Sequence, residues 1–241
     1  MTYCLGIMLD KGLVFASDSR THAGVDNYSS FCKLTLFERT GDRVLVLLSS
    51  GNLAGTQAVI SRLQQSTTRD ESATLWDVKS MFDAAMVVGD AMREVDRRDA
   101  VHLEHDEAGF NASFILGGQI AGERPRLFRI YAEGNFIEAS PLTPYLQTGE
   151  TKYGKPILDW VITESTPLND AAKCALVSFH STIRSNLSVG MPIDLICYRT
   201  DSLEVSMQRR FDPGDAYFET LGEHWTQGTR EAFRQLPNLD W

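Results

Sequence analysis

The 241 residues predict a layered α+β fold in which two antiparallel sheets lie between layers of helices. Two observations lead there. Strand-like runs alternate with pairs of helical patterns, in the order strands, two helices, strands, two helices, strands, which argues against a repeated βαβ unit. The run Val44-Leu45-Val46-Leu47-Leu48 is apolar on both faces, so the strand it forms needs cover on both sides. No linker or repeat interrupts the chain. Residues 1–241 therefore read as one domain, with a C-terminal extension from about residue 214.

The elements follow in order. Thr2 to Leu9 is an apolar strand, Asp10-Lys11-Gly12 a tight turn, and Leu13 to Ser17 the return strand. Lys33 to Arg39 and Arg43 to Ser50 form a second hairpin about Thr40-Gly41-Asp42. Leu53 to Gln65 is helical. Leu75 to Arg97 is a longer helix whose inward face carries Val78, Met81, Phe82, Ala85, Val88, Met92 and Val95. Strands resume at Ala112 to Ile120, Arg126 to Ala132 and Asn135 to Ala139. Helices are expected at Lys152 to Ile162 and at Leu168 to Arg184, the latter turning Ala171, Ala172, Ala175, Leu176, Phe179 and Ile183 inward. Ile193 to Tyr198 and Leu203 to Arg210 make a closing hairpin. The tail from Asp215, with Trp225, Phe233, Leu236 and Trp241, suggests a last helix docked on the body or on a neighbour.

Composition narrows the function. Hydrophobic residues make up 43% and charged residues 23%, the balance of a globular protein. No apolar run approaches the roughly 20 residues that cross a bilayer, and the N-terminus does not read as a signal peptide, so a cytoplasmic location and no membrane partner are expected. A net charge of −9 without a basic cluster argues against nucleic acid. The four cysteines Cys4, Cys32, Cys174 and Cys197 are scattered, which suggests buried small residues and neither a disulfide framework nor a zinc site. His102 and His105, among Glu104, Asp106 and Glu107, lack a third ligand at a recognisable spacing. That tract reads as a solvated loop, and no metal is expected.

Chemistry begins at Thr2. Methionine is usually trimmed before a small residue, which would leave a threonine with a free α-amine. That amine has an unperturbed pKa of roughly 7.7–8.0 and can take up the hydroxyl proton near neutral pH, directly or through a water. Many chains begin Met-Thr without any such use. The stretch Ala16-Ser17-Asp18-Ser19-Arg20-Thr21, followed by Gly24 and Lys33, raises the signal.

These residues resemble the β-subunits of proteasomes and their bacterial relatives, and the likeness extends over most of the chain. The resemblance implies an αββα sandwich of the N-terminal nucleophile hydrolase type. It implies Thr2 as nucleophile, Asp18 and Lys33 as the aspartate and lysine beside it, and Gly51, in Leu48-Ser49-Ser50-Gly51-Asn52, as the backbone N–H that holds an oxyanion. A lysine ammonium near the amine would discourage amine protonation, and the aspartate would orient the lysine. The segment Arg184-Ser185-Asn186-Leu187-Ser188-Val189-Gly190 resembles a later landmark of the family, with Ser188 matching its serine. Length and the C-terminal tail are closest to the bacterial ancestral β-subunit group, Anbu. Activity on peptide or other amide bonds is then implied, with no cofactor, and self-assembly of identical subunits into a ring or an open spiral. Trp225 and Trp241 would suit the contacts between subunits. An ATPase partner is not indicated either way.

The match departs from the family in two places. Gln147-Thr148-Gly149-Glu150-Thr151 stands where an accessory serine is usual, and Ser185 falls where an aspartate is usual. Two other readings therefore stay open: a structural assembly subunit with weak or no catalysis, and a hydrolase of small amides from the same superfamily. Arg20 reads as a structural partner. Thr21, Ala23 and Cys32 are candidates for a specificity pocket, while His22 reads as a surface-loop residue.

Overall fold

The computed structural model describes residues 2–22, 28–65, 73–103 and 111–241; the side chains of His22, Tyr28 and residues 100–103 are not among those described. Met1, Ala23, Gly24, His105 and the acidic residues beside it lie outside this set, as does the side chain of His102.

The expected sandwich is present. One sheet is built from β1 (Tyr3–Leu9), β2 (Gly12–Asp18), β10 (Tyr145–Gly149), β11 (Ile193–Arg199) and β12 (Met207–Phe211), in the order β10-β1-β2-β11-β12. The other holds β5 (Leu34–Arg39), β6 (Arg43–Gly51), β7 (Ala112–Ile120), β8 (Arg126–Ile130) and β9 (Phe136–Glu138) in chain order. All their pairings are antiparallel. A short hairpin, β3 (Arg20–His22) with β4 (Tyr28–Ser30), stands apart.

Three apolar layers hold these sheets. Cys4, Leu13, Phe15, Val46, Leu48, Ile115, Leu127 and Leu146 fill the space between them. Helices α1 (Leu53–Gln65) and α2 (Met81–Leu103) cover the second sheet through Val59, Leu63, Met81, Ala85, Val88 and Met92. Helices α3 (Lys155–Val161) and α4 (Leu168–Ser185) cover the first through Ile157, Leu158, Ala171, Ala175, Leu176 and Phe179. Strand alternation explains the partition, since Val44, Val46 and Leu48 face the sheet interface while Leu45 and Leu47 face α1 and α2. Each such side chain fully buried contributes about 1.5–3 kcal/mol, so a one-residue slip of β6 would exchange both layers at once.

Several details differ from the sequence reading. Helix α2 starts at Met81, because Leu75-Trp76-Asp77 form a turn and Ser80 Oγ accepts from the Asp83 N–H at 3.0 Å to open the helix. Phe82 lies on the exposed flank, its ring edge-on to Phe136 at 5.3 Å. Ala172 and Ile183 are only partly buried. Strand β12 begins at Met207, since Asp201 and Leu203 take positive φ (63° and 46°) and turn the chain away from extended structure. The short hairpin β3–β4 and strand β10 have no counterpart among the strands expected from sequence.

The C-terminal helix α5 (Ala216–Arg234) is capped by Asp215, which accepts from the Tyr217 and Phe218 N–H groups, both at 3.0 Å. Phe218 is buried against α4, and Trp225 packs partly buried on the same core, which corrects its reading as an exposed contact residue. Beyond it, Phe233, Leu236, Leu239 and Trp241 are exposed.

Candidate active site

At one end of the sandwich the inward-facing positions change from apolar to polar. Along β6 the series Val44, Val46, Leu48 ends in Ser50; along β7 Ile115 gives way to Ser113; along β8 Leu127 gives way to Arg129. Opposite, Cys4 is preceded by Thr2, and Leu146 is followed by Thr148. The sheets part there around a cavity of about 390 Å³ lined by Thr2, Lys33, Ser50, Gly51, Arg129 and Thr148, with further wall from Arg20, Thr21, Leu53 and Asn111.

Thr2 sits at the start of β1, held by the end of β10. Its carbonyl accepts from the Glu150 N–H at 2.7 Å, extending the β1–β10 ladder beyond the Tyr3–Gly149 pair. Gly149 has φ of +83°, and a Cβ there would lie 1.9 Å from the Thr2 carbonyl oxygen, so glycine is required for this approach. The next residue is anchored more deeply. Tyr3 is buried with its hydroxyl 2.7 Å from Ser178 Oγ and accepting from Gln147 Nε2 at 2.6 Å, and its ring lies 4.4 Å from Phe179. Burial pushes the Tyr3 phenol well above its ordinary range, keeping it a neutral partner in this network.

Asp18 ends β2 wholly buried. Its Oδ1 accepts from the Tyr3 N–H at 3.0 Å and from Lys33 Nζ at 2.8 Å, while Oδ2 makes no well-formed hydrogen bond. The Gly190 N–H adds a weaker interaction with the carboxylate. Burial raises the Asp18 carboxyl above the usual carboxylate range, opposed by the Lys33 charge and by these N–H groups. Lys33 also donates to the Arg20 carbonyl at 2.6 Å, and its own carbonyl accepts from the Ser49 N–H at 2.9 Å. The ammonium is thus fixed on two oxygens at the floor of the cavity.

Gly51 ends β6 where the chain enters α1. Its φ is +104°, and a Cβ would strike the Asn111 carbonyl oxygen at 1.9 Å. Asn52 follows, with Oδ1 accepting from the Gly55 N–H at 3.1 Å to start the helix. Across the cavity, Ser50 Oγ and Thr148 Oγ1 are 2.8 Å apart and bridge the two sheets.

Thr2, Asp18, Lys33 and Gly51 are thus gathered at one place, three on the cavity wall and Asp18 directly behind Lys33. Ser188 is not on that wall; its N–H donates to Asn186 Oδ1 at 2.9 Å, and Asn186 Nδ2 donates to Glu150 Oε2 at 2.7 Å. Arg20 packs against Gly190 and donates to the Leu187 carbonyl at 3.2 Å, the structural part read for it. Thr21 lines the cavity, whereas Cys32 lies outside its lining with Sγ 3.1 Å from the Leu34 carbonyl. Burial lifts the other thiols, Cys174 to about 12 and Cys197 to about 11, and Cys4 further still, so none of the three is a ready nucleophile. Among the described residues no group of three or more His, Cys, Asp or Glu side chains could hold a metal ion, and no helix is long and apolar enough to cross a membrane.

Sequence reading missed Arg129, Thr148 and the Tyr3 network. Arg129 had a signal: in Arg126-Leu127-Phe128-Arg129-Ile130, alternation puts an arginine on the face that Leu127 buries.

No protein-family model matches this chain, and no curated protein does. Solved structures do. The Anbu (Gly-1) mutant from Hyphomicrobium sp. strain MC1 is 50% identical over 100% of both chains, with a TM-score of 0.94. Anbu (ancestral beta-subunit) from Yersinia bercovieri is 48% identical over 99% of this chain and 100% of that one, with a TM-score of 0.93. A structure described as the helical assembly of the Anbu complex from Pseudomonas aeruginosa is 49% identical over 99% and 98%, with a TM-score of 0.93.

Proposed function

The chain belongs to the Anbu family of proteasome-like ancestral β-subunits, and on that footing we propose that it is a threonine-dependent hydrolase of peptide or other amide bonds. The observation that carries this reading is the double hold of Asp18 on Lys33 Nζ and on the Tyr3 N–H. One carboxylate thereby ties the ammonium to the backbone of the residue next to Thr2.

In this reading removal of Met1 exposes the Thr2 amine. Thr2 Oγ attacks the substrate carbonyl carbon while its proton passes to the amine, directly or through a water. The oxyanion is met by the Gly51 N–H at the β6–α1 junction. Collapse of the tetrahedral species breaks the C–N bond, the leaving amine takes the proton, and an ester on Thr2 remains. Water, deprotonated by the same amine, cleaves the ester and restores the threonine. Lys33 disfavours protonation of the amine electrostatically, and Asp18 holds Lys33 in place. Ser188 is assigned on resemblance alone. It acts through its loop, whose Gly190 N–H approaches Asp18.

We also infer that the subunits assemble with one another, as the description of the Pseudomonas aeruginosa relative states for that protein. The exposed apolar end of the chain supports this.

The test is the intact mass of the purified protein before and after incubation with a β-lactone probe. Loss of Met1 and gain of one adduct, abolished in Thr2→Ala, is the expected result. A processed chain that takes no adduct would favour the structural reading.

A further inference from the structure

Arg129 is an arginine on the inner face of a sandwich. It shares that face with Leu127 and sits opposite Ile115 in the β7–β8 register, both buried between the sheets. Its Nε is sealed from solvent and has no hydrogen-bond partner, and the guanidinium makes no ion pair among the described residues. The Tyr131 ring steadies it, 4.9 Å from Cζ. The residue is only partly buried, so its terminal nitrogens keep donors for an anion that enters the cavity.

The rest of the cavity fits that anion. Its charged lining residues are Arg20, Lys33 and Arg129, and among the described residues no aspartate or glutamate lines it. Lys33 is already neutralised by Asp18 behind it. Ser50, Ser113 and Thr148 add hydroxyls on the same polar end of the sheets. The chain carries a net charge of −9, yet at physiological ionic strength that repulsion is screened beyond about 8 Å, so contact chemistry inside the cavity decides.

We propose that Arg129 is a specificity residue that receives a substrate carboxylate beside the scissile bond, which makes acidic peptides the preferred substrates. The inference rests on the reading of Thr2 as nucleophile. A planar guanidinium with free donors pairs with a carboxylate through two parallel hydrogen bonds, whereas the isosteric amide offers one acceptor and no charge.

The experiment uses the assembled protein with Thr2 exposed and blocked peptides that differ only by Glu, Gln or Lys on either side of one bond. Glu peptides should exceed their Gln counterparts in kcat/KM by roughly tenfold to a hundredfold, the scale of one charge-assisted hydrogen bond. Arg129→Met should erase the difference through KM, weakening Glu peptides far more than Gln peptides, which lose only one neutral acceptor contact, and Arg129→Lys should restore part of it. Unblocking the C-terminus shows whether a terminal carboxylate serves as well as a side chain. Equal use of Glu and Gln peptides, or a Glu preference that survives Arg129→Met, overturns the proposal. If Arg129→Met does not assemble, Arg129→Gln takes its place. β-Lactone labelling of Thr2 separates the two readings: a labelled enzyme indifferent to Glu sinks only the role of Arg129. If Thr2 takes no label, the same peptides are compared by fluorescence anisotropy, and equal affinity for Glu and Gln peptides sinks it as well.

Discussion

Lys33 Nζ lies 2.8 Å from Asp18 Oδ1 in a pair almost wholly withdrawn from water. Removing one partner of such a pair leaves the other as an uncompensated buried charge, at about 3–5 kcal/mol. Lys33→Met and Asp18→Ala are each expected to lose stability on that scale, and the double variant to lose less than the two together. Urea midpoints of the four proteins give the comparison. Strict additivity would mean that the pair is not coupled in solution.

The same carboxylate predicts a pH dependence with a definite sign. Burial raises the Asp18 carboxyl in the folded chain above its unfolded range, despite Lys33. Between those two ranges the native state holds more protons than the unfolded state, so this group's stabilisation is fully present below the unfolded pKa and is lost as pH rises through the folded one. The stability difference between wild type and Asp18→Asn should therefore shrink as pH rises from the ordinary carboxylate range, then level off. A difference that grows with pH over that interval would show the ion pair outweighing burial.

Gly51→Ala meets two obstacles at once, a φ of +104° and a Cβ placed 1.9 Å from the Asn111 carbonyl oxygen. Relief requires β6 to shift at the point where the oxyanion would be held. Acylation of Thr2 by the β-lactone should slow by at least about a hundredfold, the effect of losing one oxyanion donor. Near-normal labelling would remove Gly51 from the proposed mechanism.

How far the site was legible depends on which contacts are local. Asp18 and Gly51 are recognisable through the motifs that carry the family resemblance, and both motifs are local: one directly follows a short hairpin, the other ends an apolar strand before a helix. Boundaries of α1 were legible because helical spacing runs through Thr56, Val59 and Leu63, and those of β7 because its apolar run ends at the Ala121-Gly122 turn. By contrast, Tyr3 and Ser178 are 175 positions apart, and Ser50 and Thr148 are 98 apart. Nothing local in Gln147-Thr148-Gly149 marks it as an edge strand, so β10 has no counterpart among the elements expected from sequence. Leu75 and Val78 extended the apparent period of α2, because a turn packed on the core repeats its apolar residues much as a helix does.

Tyr3→Phe tests whether the buried network positions Thr2. The variant leaves Ser178 Oγ and Gln147 Nε2 without the hydroxyl they meet at 2.7 and 2.6 Å, and unsatisfied buried groups cost about 1–3 kcal/mol. Stability should fall by that amount, and β-lactone labelling should slow several-fold as the start of β1 loosens. Lower stability with unchanged labelling would leave the network a structural role only.

The last helix ends in apolar surface that the subunit does not cover. Phe218 and Trp225 hold α5 to α4, but Phe233, Leu236, Leu239 and Trp241 stand free, with Leu236 60% and Leu239 72% exposed. Four large apolar residues within nine positions form a patch that a neighbour would bury, and burial of each would contribute about 1.5–3 kcal/mol. Ending the chain after Gln235 removes three of the four while sparing the α5 cap at Asp215 and the packing of Phe218. Light scattering should then report a smaller assembly at equal concentration, with the fold of each subunit retained by circular dichroism. An assembly of unchanged size would move the subunit contacts away from the tail.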